Sequence, residues 1–159
     1  MKLFLKRGTD EGEGFTIYNA HAEPVCAAEM NFSSSIHIEL RNEDRVLLSS
    51  IKFNRLMLDY FTIRCDHRFY VLIPIIGNHF SFAIYGSTFR FAGNLADGCF
   101  SMFNAKGEII MTQKKCWAQH GDGYELEIKD EKYRLLMVST AICADLFIAL
   151  SEPRTAYSC

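Results

Sequence analysis

Leu135-Leu136-Met137-Val138-Ser139-Thr140-Ala141-Ile142-Cys143-Ala144-Asp145-Leu146-Phe147-Ile148-Ala149-Leu150 is the stretch on which the fold turns. It shows no period-two alternation, and small or apolar residues occupy every side of a helical wheel. A helix that is apolar all round belongs inside a protein core or inside a membrane. Its 16 residues rise about 24 Å, short of the roughly 30 Å of a bilayer's hydrocarbon core. Asp145 would be costly in lipid, and Ser151-Glu152-Pro153 stops the helix. The expectation is a buried core helix over Leu135–Leu150 and no transmembrane span.

The sequence before this helix reads as strands. Phe15-Thr16-Ile17-Tyr18-Asn19-Ala20-His21-Ala22-Glu23-Pro24-Val25 aligns with Phe100-Ser101-Met102-Phe103-Asn104-Ala105-Lys106-Gly107-Glu108-Ile109-Ile110. A weaker third copy runs from Phe61 to Val71. Each is a short strand, a polar turn and a second strand, the pattern of a β-hairpin. Irregular spacing of the copies favours a meander or barrel over a solenoid of constant period. Ser35–Leu40 and Tyr124–Ile128 alternate apolar and polar residues, which marks strands with one buried face. Gly86-Ser87 reads as a two-residue hairpin loop between the strands on either side. About a dozen strands are expected, with no internal linker and one domain over residues 1–159.

Composition agrees. A chain of 159 residues buries about 70% of its unfolded surface and needs no staples. Hydrophobic residues make up 49% and aromatic residues 13%, a share that suits pleated sheet. A net charge of −2 leaves no overall footprint for nucleic acid, and no basic run of useful length compensates. The six cysteines form no Cys-x-x-Cys pair, and the N-terminal apolar run is too short for a secretory signal. Reduced thiols and a cytoplasmic location are therefore expected.

The second half resembles the LURP-one-related family, within the tubby C-terminal-like fold that includes phospholipid scramblases. The resemblance is carried by the strand pair Phe80 to Phe91, then Gly93-Asn94-Leu95-Ala96-Asp97, the hairpin Phe100 to Ile110, Lys114-Lys115-Cys116-Trp117, Gly121–Ile128, and the apolar helix with its Asp145. It implies a mainly β domain: a closed antiparallel barrel of about twelve strands around a central apolar C-terminal helix. Tubby domains bind phosphoinositide head groups and scramblases act at membranes. The tubby head-group residues and the scramblase calcium segment have no counterpart here, so the resemblance implies the fold more than an activity.

Four residues stand out as candidate ligand contacts. Lys114 and Lys115 beside Trp117, the only tryptophan, suit an anionic membrane surface, where each lysine contributes about 1 kcal/mol and Trp favours the interface. The simpler alternative is a solvated strand end with Trp117 packed inward. Asp145 could hold a cation or a ligand at the barrel mouth, or bond backbone N–H groups of a neighbouring loop. Cys65-Asp66-His67, and Cys116 with His120, lack companions at metal-ligand or nucleophile spacing and read as turn residues and buried thiols. Gly12-Glu13-Gly14 and Gly121-Asp122-Gly123 read as hairpin turns rather than phosphate loops. No metal, cofactor or catalytic residue is assigned. The functional expectation is a non-catalytic binding domain for an anionic phospholipid or phosphoinositide head group or a protein partner, cytoplasmic and peripheral at the membrane. The alternative is a small enzyme or small-molecule carrier with a pocket between barrel and helix.

Overall fold

Twelve antiparallel strands close into one barrel, seen in a computed structural model that describes residues 1–9, 12–32, 35–55, 57–118 and 121–151. In chain order they are β1 (Lys2–Thr9), β2 (Gly12–Asn19), β3 (Pro24–Phe32), β4 (Ile36–Asn42), β5 (Leu47–Arg55) and β6 (Asp59–Cys65). There follow β7 (Arg68–Ile76), β8 (Phe80–Tyr85), β9 (Arg90–Asn94), β10 (Cys99–Phe103), β11 (Ile109–Ala118) and β12 (Gly121–Ile128). Each strand pairs with its sequence neighbours, and β1 closes on β12 with Leu3 opposite Leu126 and Leu5 opposite Tyr124. Closure leaves no unpaired edge to recruit another chain.

A 3-10 turn (Glu131–Tyr133) then feeds the helix α1 (Arg134–Ser151), one residue longer at each end than expected. Asp130 caps the turn by accepting from the Lys132 N–H. Every residue of α1 from Leu136 to Phe147 is buried. A helix can bury all its sides only when surrounded, and here the inward faces of the strands surround it. Leu3, Leu5, Ile17, Ile38, Leu40, Ile51, Phe61, Ile63, Leu72 and Leu126 alternate with wetter residues along their strands and line the interior. Phe147 of α1 stacks on Phe80 at 5.1 Å between ring centroids and meets Phe82 edge-on. The aromatic cluster continues through Phe91 and Phe100 to fill that side. Deep inside, a polar contact ties helix to wall: the Ser49 and Ser139 hydroxyls lie 2.7 Å apart, both buried.

The internal repeat survives in atomic detail. In β2–β3 the Asn19 N–H donates to the Glu23 carbonyl (2.9 Å) and the Ala22 N–H to the Asn19 carbonyl (3.1 Å). The Asn19 side-chain oxygen accepts from the N–H groups of His21 and Glu23, while its amide donates to the Glu23 carboxylate. In β10–β11 Asn104, Lys106, Gly107 and Glu108 make the same set of bonds. A related turn follows β4, where Asn42 bonds Arg45 and Val46. The copy at Phe61–Val71 departs from this pattern. Asp66 and His67 both have positive φ (50° and 58°), the geometry of a tight two-residue turn between twisted strands. The expected two-residue loop at Gly86-Ser87 is instead a four-residue connection over 86–89, because β9 starts only at Arg90.

In the paired turns the fourth residue is left-handed: Gly107 at φ 82° and Ala22 at φ 60°. A Cβ at Gly107 would meet no atom within 4 Å, so only backbone strain opposes a side chain there. Gly107→Ala is expected to lower stability by roughly 1 kcal/mol and Ala22→Gly to raise it by up to about 1 kcal/mol. Urea unfolding of both variants checks this; equal signs for the two substitutions would contradict the shared left-handed geometry.

Candidate functional site

The helix occupies the barrel axis, so the sites open to a ligand are the two mouths and the outer wall. At the mouth by the C-terminal end of α1, Asp145 meets the barrel seam. The Arg7 guanidinium donates to Asp145 Oδ2 from Nη2 at 2.6 Å and from Nε at 3.1 Å. The Tyr124 hydroxyl donates to Oδ1 at 2.9 Å. Asp145 is nearly buried while the Arg7 side chain is half exposed, so one partner is desolvated and the other is open to water. The guanidinium and the Tyr124 hydroxyl offset the cost of desolvating the carboxylate.

Strand alternation explains why these groups meet. Leu3, Leu5 and Arg7 share the inward face of β1, and Tyr124, Leu126 and Ile128 that of β12. Arg7 is the inward position just above the core, beside the helix, and also lies 5.7 Å from the Phe15 ring centroid. Asp145 thus bonds side chains of β1 and β12 rather than the backbone N–H groups of a loop. A cavity of about 270 Å³ opens beside it, lined by Arg7, Phe15, Lys115, Tyr124, Asp145 and Ile148 among others.

Lys114 and Lys115 do not act on one surface. Lys115 pairs with Tyr124 and lines the mouth cavity; Lys114 pairs with Glu125 on the outer face. Glu125 is itself ion-paired to Lys2 at 3.2 Å. Trp117 sits on β11 opposite Asp122, and its side chain lies outside the described residues, as does His120.

Lys114 instead borders a groove of about 680 Å³ across the outer wall of β8, β9, β10 and β11. Its floor is low because the outward side chains are small: Ser81, Ala83, Ala92, Ser101 and Thr112. Gly93 draws β9 and β10 together, since a Cβ there would lie 2.1 Å from the Cys99 carbonyl oxygen. Ile75 and Phe103 flank the groove, and the Arg90 guanidinium sits 5.6 Å from the Phe103 ring centroid. Arg90, Lys114 and His79 are its basic groups, all exposed, and no carboxylate lines it among the described residues. Behind it, wholly buried Gln113 has no hydrogen-bond partner for either amide atom among the described residues.

The thiols divide by burial. Desolvation pushes Cys26 up to about 11, Cys65 up to about 12 and Cys143 well above the usual range, so these are poor nucleophiles near neutrality. Cys99, on the groove, is exposed. No cluster of three His, Cys, Asp or Glu groups able to hold a metal is present among the described residues. Sequence reasoning picked out Lys114, Lys115 and Asp145 but missed Arg7, Tyr124 and Arg90. The alternation of β1 and β12 was the available signal for the first two. Comparison with protein-family models, curated proteins and solved structures finds no match.

Removing one partner of a desolvated, charge-assisted set leaves the others unsatisfied. Asp145→Ala is expected to lower stability by about 2 kcal/mol, after discounting for the exposed side of Arg7. Urea unfolding checks it, and unchanged stability would contradict a role in anchoring the helix to the seam.

Proposed function

We propose that this is a non-catalytic binding domain whose outer-wall groove takes an anionic phospholipid head group. The observation that carries this is the groove's lining: a floor of small side chains bordered by Arg90, Lys114 and His79, with no carboxylate among the lining residues and Glu125 facing Lys114 from β12. Its volume of about 680 Å³ falls within the roughly 300–1,000 Å³ typical of small-ligand sites. The cavities that touch the helix at its two ends measure about 270 and 280 Å³, below that range, which favours the outer wall over a pocket between barrel and helix. A phosphate meets Arg90 or Lys114, and the glycerol with the first methylenes lies on the small-residue floor. Part of the proposal is that the chain is of the LURP-one-related type, since the barrel-and-helix architecture is the one that resemblance implies.

Co-sedimentation with phosphatidylcholine vesicles, with and without phosphatidylserine or a phosphoinositide, tests the proposal. Binding to the anionic vesicles is expected at low salt and should weaken as salt screens it. At about 1 kcal/mol per basic residue, reversing both charges (Arg90→Glu with Lys114→Glu) is expected to weaken binding roughly thirtyfold or more. Bound vesicles should also slow alkylation of Cys99, read site by site by mass spectrometry. No binding to any anionic vesicle at low salt would overturn the proposal.

A further inference from the structure

The basic groups of the outer-wall groove stand at its two ends, and the pairing register sets how far apart. Ser81, Ala92, Ser101 and Thr112 face one another in a single row across β8, β9, β10 and β11. One pleat to one side of that row, Arg90 lies between Ala83 and Phe103. One pleat to the other side, Asn94 pairs with Cys99, and extending the pairing of Phe100 with Gln113 by one residue brings Lys114 level with them. Arg90 and Lys114 therefore sit four residues apart along the strands and two strands apart across them, roughly 13 Å by 10 Å at ordinary sheet spacings. His79 shares the Lys114 end, next to Phe80, which pairs with Gly93.

Both side chains are exposed, and neither forms an ion pair among the described residues. The Arg90 guanidinium rests against the ring of Phe103, which lies in its own row, so its charge stays at that end of the groove. The carboxylates around the groove lie outside its lining. Glu108 accepts from the Asn104 side-chain amide at 2.7 Å, Glu125 opposite Lys114 is paired to Lys2 at 3.2 Å, and Asp97 stands on the β9–β10 connection. Between the two basic ends the middle row carries only hydroxyls and methyl groups. The oxygens of one phosphate lie far too close together to bridge that distance. Two phosphates held apart can engage both ends, and once the first is bound the second binds at high effective concentration.

We infer that the groove is a two-point anion site, holding one phosphate at Arg90 and a second at Lys114, with whatever joins them lying across the row from Ser81 to Thr112. The inference rests on the head-group reading of the groove and deepens it: the site selects the distance between two phosphates rather than the presence of one. Two neighbouring lipids of a bilayer supply such a pair, and so does a single molecule that carries both. Gly93 belongs to the same design, because its missing side chain lets β9 and β10 close up beneath the middle of the groove and keeps the two ends at a fixed separation.

The test titrates the whole chain calorimetrically, in phosphate-free buffer at low salt, with methylphosphonate and with α,ω-bisphosphonates on ethane, butane, hexane, octane, decane and dodecane spacers. Affinity is expected to pass through a maximum among the longer spacers, roughly tenfold or more above methylphosphonate. Arg90→Gln and Lys114→Gln, both at exposed positions, are each expected to bring the best spacer down to the methylphosphonate level. Each is also expected to weaken co-sedimentation with phosphatidylcholine–phosphatidylserine vesicles roughly tenfold, as two neighbouring lipids supply the phosphates. Affinity independent of spacer length, or a maximum that survives either substitution, would overturn the two-point site; if the parent protein still binds anionic vesicles, the head-group reading stands. A spacer maximum with no binding to any anionic vesicle would assign both phosphates to one soluble ligand, overturning the head-group reading and leaving the two-point site in place.

Discussion

A closed sheet of twelve strands encloses more space than its own inward side chains can fill; about eight strands is the width at which they suffice. An unfilled interior would forfeit the dispersion contacts and apolar burial that hold a core together. The chain meets this constraint with one helix, and most features of the molecule follow from it. Because α1 is surrounded, it has no wet face, and its buried run from Leu136 to Phe147 carries apolar or small residues throughout, with Asp145 the one acidic residue. Because it must be held at a fixed depth, it is tied to the wall near each end of that run: Ser139 to Ser49 deep inside, and Asp145 to Arg7 and Tyr124 at the mouth. The second tie spans the β1–β12 seam, so the contact that seats the helix also braces the closure of the barrel.

A filled interior sends chemistry outward. The cavities bordering the helix are small, whereas the wall of β8 to β11 carries a groove of about 680 Å³ because small outward side chains lower its floor. Closure removes strand edges, so partners cannot add a strand. What remains for recognition is the outer wall and the hairpin tips. Large apolar side chains are exposed at the hairpin tips of both ends, Met57 and Ile76 at one and Val46 and Tyr85 at the other.

Much of this architecture was legible in the residues, for identifiable reasons. The helix announced itself because a run apolar on all sides, behind so many hairpins, reads as the filling of a sheet; with its 3-10 lead-in it is long and apolar enough to cross a membrane, so its burial rather than its length assigns it to the core. The hairpins were visible because Asn19 and Asn104 head the same five-residue turn, whose bonds are made by the side chain that repeats. The candidate site was legible only in part. Asp145 stood out as a lone acid, but its partners lie 138 and 21 residues away and could be found only from the β1–β12 register. Lys114 and Lys115 looked like one basic cluster because they are adjacent in sequence; on a strand adjacency means opposite faces. The groove was hidden altogether, since it is made by the smallness of side chains on four strands. No local pattern records that. The missed length of the 86–89 connection has a similar cause, for Thr88 and Phe89 have strand-like composition but serve as turn.

The central claim is that α1 is the filling of the barrel, without which the closed sheet does not persist. Native-state amide hydrogen exchange across a denaturant series tests it most directly. Amides of Leu136 to Phe147 should exchange only through global unfolding, with the same opening free energy and denaturant dependence as the inward-facing residues of β5 and β6. Exchange of the helix amides through a separate, lower-energy opening while the strand amides stay protected would show that the barrel stands without its helix, and would contradict the claim.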